Sequence, residues 1–192
     1  MEEEGLALSR IDLCINNSNL DSFLKAAEVL EIDEVGGKYS GNVQKNVVYR
    51  LEKRPSVITN YPYLVVSDKP AELTSPWVDL FIIKDYFGLK NILKKKIRTR
   101  IGLEVIVSDK RNTDGLSVGK WFDQIKELYK LCKSINCQFV MSSGASSPTE
   151  MISGRCFDSL LKLSNIKPEI YWEELGEWLE SKLRTRCYVD AY

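Results

Sequence analysis

The sequence predicts an α/β fold, a compact TIM-like barrel with a ring of parallel strands and helices outside it. Three observations carry the prediction. Short apolar runs alternate with segments of helical period, the pattern of βαβ units. The runs are nearly continuous in hydrophobicity, as strands covered on both faces are. Six or more such units in 192 residues suit a closed or partly closed barrel better than a small open sheet. An eight-fold barrel usually takes about 250 residues, so some helices are expected to be short or missing.

Residues 1–9 read as a flexible tail, 10–186 as one barrel domain and 187–192 as a C-terminal tail. Arg10 to Asn16 alternates polar and apolar residues, a first strand. Ser18 with Asp21 resembles a capping box, and Leu20, Phe23, Leu24 and Ala27 follow at helical spacing. Asp33 to Asn46 holds three glycines and reads as a loop. Asn46 to Glu52 is a second strand, closed by Lys53-Arg54-Pro55. Tyr63 to Ser67 is a third, ending in Asp68-Lys69-Pro70. Val78 to Ile83 is a fourth and leads into a helix with Tyr86, Leu89 and Leu93 on one face. Leu103 to Ser108 is a fifth, ending at Asp109-Lys110-Arg111-Asn112. The clearest helix follows, since Val118, Trp121, Phe122, Ile125, Leu128, Tyr129, Cys132 and Ile135 keep the i, i+3, i+4, i+7 rule.

Phe139-Val140-Met141 is the central strand. It passes through the small polar loop Ser142 to Ser146 into Ser147-Pro148-Thr149-Glu150. That tetrapeptide reads as a capping box with proline at the first helical position, where its missing N–H costs nothing. Such strand-to-helix turns lie at the carboxyl ends of the strands, where α/β folds bind ligands. A helix around Phe157 to Leu163 comes next, terminated near Asn165 or Lys167. Pro168 then starts a last helix carrying Trp172, Leu175, Trp178 and Leu179.

Composition narrows the function. With 44% hydrophobic and 28% charged residues the chain is globular. Lys and Arg total 27, as do Asp and Glu, so nucleic-acid binding must come from a local basic patch. The absence of histidine excludes every histidine-dependent triad, proton shuttle and metal site. The five cysteines, Cys14, Cys132, Cys137, Cys156 and Cys187, are an odd, scattered set; Cys132 and Cys137 do not read as zinc ligands, and all five read as packing residues. The start is acidic, without an apolar signal core, and no run reaches the length of a membrane helix, which predicts reduced thiols in a cytoplasmic protein.

Three stretches resemble one known family. Val140-Met141-Ser142-Ser143-Gly144-Ala145-Ser146-Ser147-Pro148, with Glu150, Met151 and Arg155, is similar to the signature of archaeal ribonuclease P protein component 3, homologous to the thirty-kilodalton protein of the eukaryotic enzyme. Tyr49-Arg50-Leu51-Glu52 resembles its early arginine-containing strand. Val78 to Ile82 and Leu103-Glu104-Val105 resemble its later core strands. Order and spacing hold from about Arg10 to Arg186, and the serine-glycine-alanine run is the specific part. One departure stands out. Where the family usually has arginine-serine-proline-arginine, this chain has Ile152-Ser153-Gly154-Arg155, so only Ser153 and Arg155 carry over.

The resemblance implies a barrel related to the polymerase-and-histidinol-phosphatase type, without its metal-binding histidines. It implies a subunit of the ribonucleoprotein endonuclease that removes the 5′ leader from precursor tRNA. There the RNA subunit performs catalysis with Mg2+, and no cofactor is bound by the protein. The implied partners are ribonuclease P RNA, precursor tRNA and the other protein subunits, one small protein forming a heteromer with this chain.

Lys90, Lys94, Lys95, Lys96, Arg98 and Arg100 put six cations within eleven residues, with no acid among them. Such a stripe displaces counterions from RNA phosphates; it also suits a solvated helix face near a C-terminus. Lys110 and Arg111 follow a strand, on the rim expected to carry Ser142 and Ser143, whose hydroxyls and backbone N–H groups bond phosphate or sugar. The alternative for the serines is bonding to the neighbouring loop backbone. Arg155 is the strongest single RNA contact, since guanidinium binds phosphate in bidentate fashion; its alternative is an ion pair with Asp158. Trp172 and Trp178 sit among glutamates, which suits a core or a protein partner better than RNA. The rival reading is a small-barrel lyase or hydrolase using Lys84, Asp79 or Glu104, with the lysine forming a Schiff base.

Overall fold

The computed structural model describes residues 9–17, 19–84, 86, 88, 91–93, 100–110 and 114–184. Seven strands form one sheet in sequential order with every pair parallel. They are β1 (Ile11–Ile15), β2 (Glu34–Lys38), β3 (Val47–Leu51), β4 (Tyr63–Ser67), β5 (Leu80–Ile82), β6 (Gly102–Ile106) and β7 (Gln138–Ser142). Outside lie α1 (Asp21–Val29), α2 (Gly115–Ile135), α3 (Gly154–Leu163) and α4 (Pro168–Leu183). Tyr86, Gly88 and Asn91, Ile92 and Leu93 are also helical. The result is a nearly closed α/β barrel, as the alternating pattern predicts. The readings on Ser18, Leu89 and the two tails, except at Ser9, fall outside the described residues.

One strand was hidden. The span 33–46, expected as a loop, contains β2, and its glycines are the reason. A side chain on Gly36 would meet the Leu13 carbonyl oxygen at 2.1 Å, and one on Gly37 the Leu20 side chain at 2.7 Å. Glycine here permits close approach of a neighbouring strand and helix rather than a turn.

The capping box at Ser147 is present, but it opens only a single 3-10 turn, Pro148–Glu150. The Glu150 carboxylate accepts the backbone N–H groups of Ser146 (2.7 Å) and Ser147 (3.2 Å). The helix starts six residues later, where the Ser153 hydroxyl accepts from the Cys156 N–H and caps α3. Asn165, in left-handed conformation, follows its end.

Closure of the ring is uneven. At the C-terminal end of the strands the Asn16 N–H donates to the Ala145 carbonyl (2.8 Å), and the Gly144 N–H to the Cys14 carbonyl (3.0 Å). Gly144 has φ +68°, and a Cβ there would lie 2.3 Å from Ile106 and Ser108. Lower down, β7 and the residue that follows it find side chains instead of backbone. The Ser143 N–H donates to Asp12 Oδ1 (2.9 Å) and the Met141 N–H to the Tyr171 hydroxyl (2.9 Å). α4 supplies that tyrosine, and its Trp178 reaches the N-terminal end of the lumen. There a side chain on Gly102 would meet the indole at 2.8 Å.

Candidate functional site: barrel lumen, mouth and basic residues

Strands β3 and β6 are not sheet neighbours. Side chains that join them must cross the lumen, and two do. Arg50 Nη1 and Nη2 donate to Glu104 Oε1 (2.8 Å) and Oε2 (2.7 Å), a fork-on-fork pair. Arg50 Nη1 also donates to the Leu13 carbonyl of β1 (2.5 Å), and the Ser142 hydroxyl of β7 donates to Glu104 Oε1 (2.6 Å). One cluster thus ties four strands. Glu104 and Ser142 are fully buried. Burial works against the Arg50 charge, but Glu104 beside it overcomes this and its pKa is raised.

Above the pair, a cleft of about 320 Å³ opens among the C-terminal ends of β1 to β5. Its rim mixes signs, with Lys38 and Lys69 against Glu52, Asp68 and Glu72. The Ser67 hydroxyl donates to Glu72 (2.7 Å) and Lys84 Nζ to Asp68 (2.5 Å).

Asp12 sits beside this cluster, in the seam. Oδ1 accepts from the Ser143 and Cys14 N–H groups (2.9 and 3.3 Å), while buried Oδ2 has no partner. Burial pushes its pKa up to about 6 against the lowering effect of the Ser143 bonds, and the Glu104 charge adds a small rise. Burial also pushes the Cys14 thiol up to about 12.

Among the described residues, the predicted site residues do not converge. Ser143 is not on a rim: it is fully buried, and its hydroxyl accepts from the Ala145 N–H (3.1 Å), so it presents no group to RNA. The same holds for Ser142, whose hydroxyl belongs to Glu104. Lys110 is half-buried in the 3-10 turn Val107–Lys110 after β6. Arg155 lies at the other end of the barrel. It is 81% exposed and pairs with Glu31 (2.9 Å), beside Arg10 at the start of β1. Its expected partner Asp158 instead accepts from Arg10 Nη2 (2.9 Å) and Trp172 Nε1 (2.7 Å).

Trp172 and Trp178 are buried core residues rather than a partner surface; the Trp178 indole N–H donates to the Arg100 carbonyl (3.0 Å). Lys90, Lys94, Lys95, Lys96, Arg98 and Arg111 lie outside the described residues. Of the cysteines, Cys14 and Cys132 are buried, Cys137 is half-buried and Cys156 is exposed, so Cys156 is not a packing residue; Cys187 lies outside the described residues.

The rival catalytic residues are held in structural roles. The hydrogen bond to Asp68 raises the Lys84 pKa, the opposite of what a Schiff-base amine needs. Asp79 Oδ2 accepts the Val65 N–H (2.8 Å), and Glu104 is held by Arg50. Among the described residues no three His, Cys, Asp or Glu side chains converge as metal ligands.

Sequence reasoning missed Asp12, Tyr171 and the pairing of Arg50 with Glu104. The available signal was a carboxylate inside each of two apolar strands, which folding tolerates only with partners. No protein-family profile matches the chain, and no curated protein matches it in sequence.

Proposed function

We propose that this chain is a protein subunit of ribonuclease P that supports the catalytic RNA during removal of the 5′ leader from precursor tRNA. The observation that carries the reading is the occupied lumen. A TIM-type barrel acts through groups at the strand ends. Here the lumen's ionic groups bind one another, and the strand-end lysine is held by an aspartate. On this reading the barrel acts through its outer surface rather than through the cleft at its mouth. The resemblance of Val140 to Pro148 supplies what that surface meets: a folded RNA, precursor tRNA and companion protein subunits, with Mg2+ on the RNA. The relation to the polymerase-and-histidinol-phosphatase barrels and the cytoplasmic location belong to the same proposal.

Arg155 is a described cation well exposed to RNA. Its pair with Glu31 is a solvated surface pair, worth less than about 1 kcal/mol and readily exchanged for phosphate. Reconstitution tests the reading. Cleavage of precursor tRNA by the RNA subunit in Mg2+ should rise when the chain and its companion proteins are added. Replacing Arg155, Lys94, Lys95 and Lys96 with alanine should weaken RNA binding. It should also flatten the salt dependence by roughly 0.7–0.9 in log–log slope for each phosphate no longer neutralised. Cleavage indifferent to the chain would refute the function; an unchanged slope would refute the placement of the RNA face.

A further inference from the structure

The chain has four tryptophans, and three of them, Trp121, Trp172 and Trp178, are buried. Trp77 is 53% exposed. It stands in the β4–β5 connection, with the Arg54 guanidinium of the β3–β4 connection 4.8 Å from the ring centroid. Between the two connections lies a cleft of about 290 Å³, floored by buried Val65 and Val78 and walled by this pair.

We propose that this cleft binds an unpaired RNA nucleobase, stacked on the indole–guanidinium pair; the inference rests on the RNA-scaffold reading. Nucleobases stack on aromatic faces and on arginine planes alike, without regard to sequence. The charges divide the work. Glu52 and Glu72 line the cleft and disfavour phosphate inside it, while a carboxylate accepts the N–H groups of a base edge. Glu72 is already engaged by the Ser67 hydroxyl and by Lys69 at 3.5 Å, which tempers its charge. Lys53, which lines the cleft, and Lys69, paired with Glu72, are exposed and suit the flanking phosphates. The base therefore enters and the backbone stays outside. That geometry selects single-stranded RNA, because a paired base presents no free face or edge. Bases with an exocyclic amino group gain most from the carboxylates.

The test uses the full chain, eight-nucleotide oligoadenylate, and the same oligonucleotide paired with oligouridylate. Exposed Trp77 dominates acrylamide quenching of the intrinsic fluorescence, so bound single-stranded RNA should protect it. Trp77→Ala should weaken single-strand affinity about five- to hundredfold, Trp77→Phe should restore most of it, and duplex affinity should change with neither. If Trp77→Ala binds oligoadenylate like the wild type, the inference is overturned; so is it if the wild type binds none. It is equally overturned if the variant keeps oligonucleotide binding but no longer joins the companion proteins, which would place a protein on the cleft. The function itself is judged separately by wild-type reconstitution. Intact cleavage with an indifferent Trp77→Ala sinks only the base site. Single-strand binding lost in Trp77→Ala, with cleavage indifferent to the chain, sinks only the ribonuclease P reading.

Discussion

Replacing Asp12 with asparagine should shift this protein's stability in a pH-dependent way, from neutral or stabilising at neutral pH to destabilising in acid. The carboxylate is buried with one oxygen unpartnered, and burial raises its pKa from 3.8 to about 6. That rise is worth about 3 kcal/mol between the two protonation states. The direction follows from proton binding. Between pH 3.8 and about 6 the folded chain holds a proton that the unfolded chain has released. The stability Asp12 contributes is complete below pH 3.8 and is lost as pH rises through 6. Asparagine Oδ1 can still accept from the Ser143 and Cys14 N–H groups, but its amide puts an unpartnered N–H₂ where Oδ2 was, at a cost of about 1–3 kcal/mol. Asp12→Asn should therefore be neutral or stabilising by up to about 2 kcal/mol at pH 7.5, and destabilising at pH 4 by roughly the amide's cost. Glu104, Arg50, Cys14 and Tyr171 surround the same spot; the Asp12 charge helps raise the pKa of each of the last three, which titrate well above the pH range of the test. Urea unfolding at pH 4, 5, 6 and 7.5 measures the difference. A difference of roughly 2–2.5 kcal/mol between the ends of the series supports the reasoning, and a constant difference refutes it.

Other outcomes follow from the same bonds. Arg50→Leu leaves Glu104 buried with only the Ser142 hydroxyl, and should cost about 3–5 kcal/mol in urea unfolding at pH 7. Combining it with Glu104→Leu should recover at least half of that, and a double variant worse than the single one would contradict the account. Tyr171→Phe takes the acceptor from the Met141 N–H and should cost about 1–3 kcal/mol, with faster hydrogen exchange at that amide than at neighbouring Val140. Equal exchange at the two would mean that the seam does not depend on the phenol.

The strands with continuous apolar runs were legible because their period and composition are local properties. β3, β4, β6 and β7 appear within a residue or two of where the sequence puts them. β2 was not, because Gly36 and Gly37 look the same in a turn as under a close-packed neighbour. The lumen pair joins residues 54 apart, and nothing in either strand says which cation meets which carboxylate. The serines misled for a related reason. A small polar side chain can face solvent or satisfy a buried acceptor, and here Glu104 and the Ala145 N–H decide for the interior. Arg155 was legible as an exposed cation, while its distance from the mouth depends on how the chain runs from β7 to the start of α3.

The hydroxyl of Tyr171 has a consequence for the order of assembly. Every sheet pairing joins consecutive strands, so a growing chain can zip the ribbon from β1 to β7 as each segment emerges. What it cannot do is finish the lower seam, because the group that satisfies Met141 arrives thirty residues after the last strand amide it serves. Until then the upper seam can close through Gly144 and Ala145, but the lower margin of β7 keeps a bare amide, the kind of edge that recruits a second copy. α4 works as a latch on the lower seam, and whatever pries it away leaves that part of the ring with an adhesive edge.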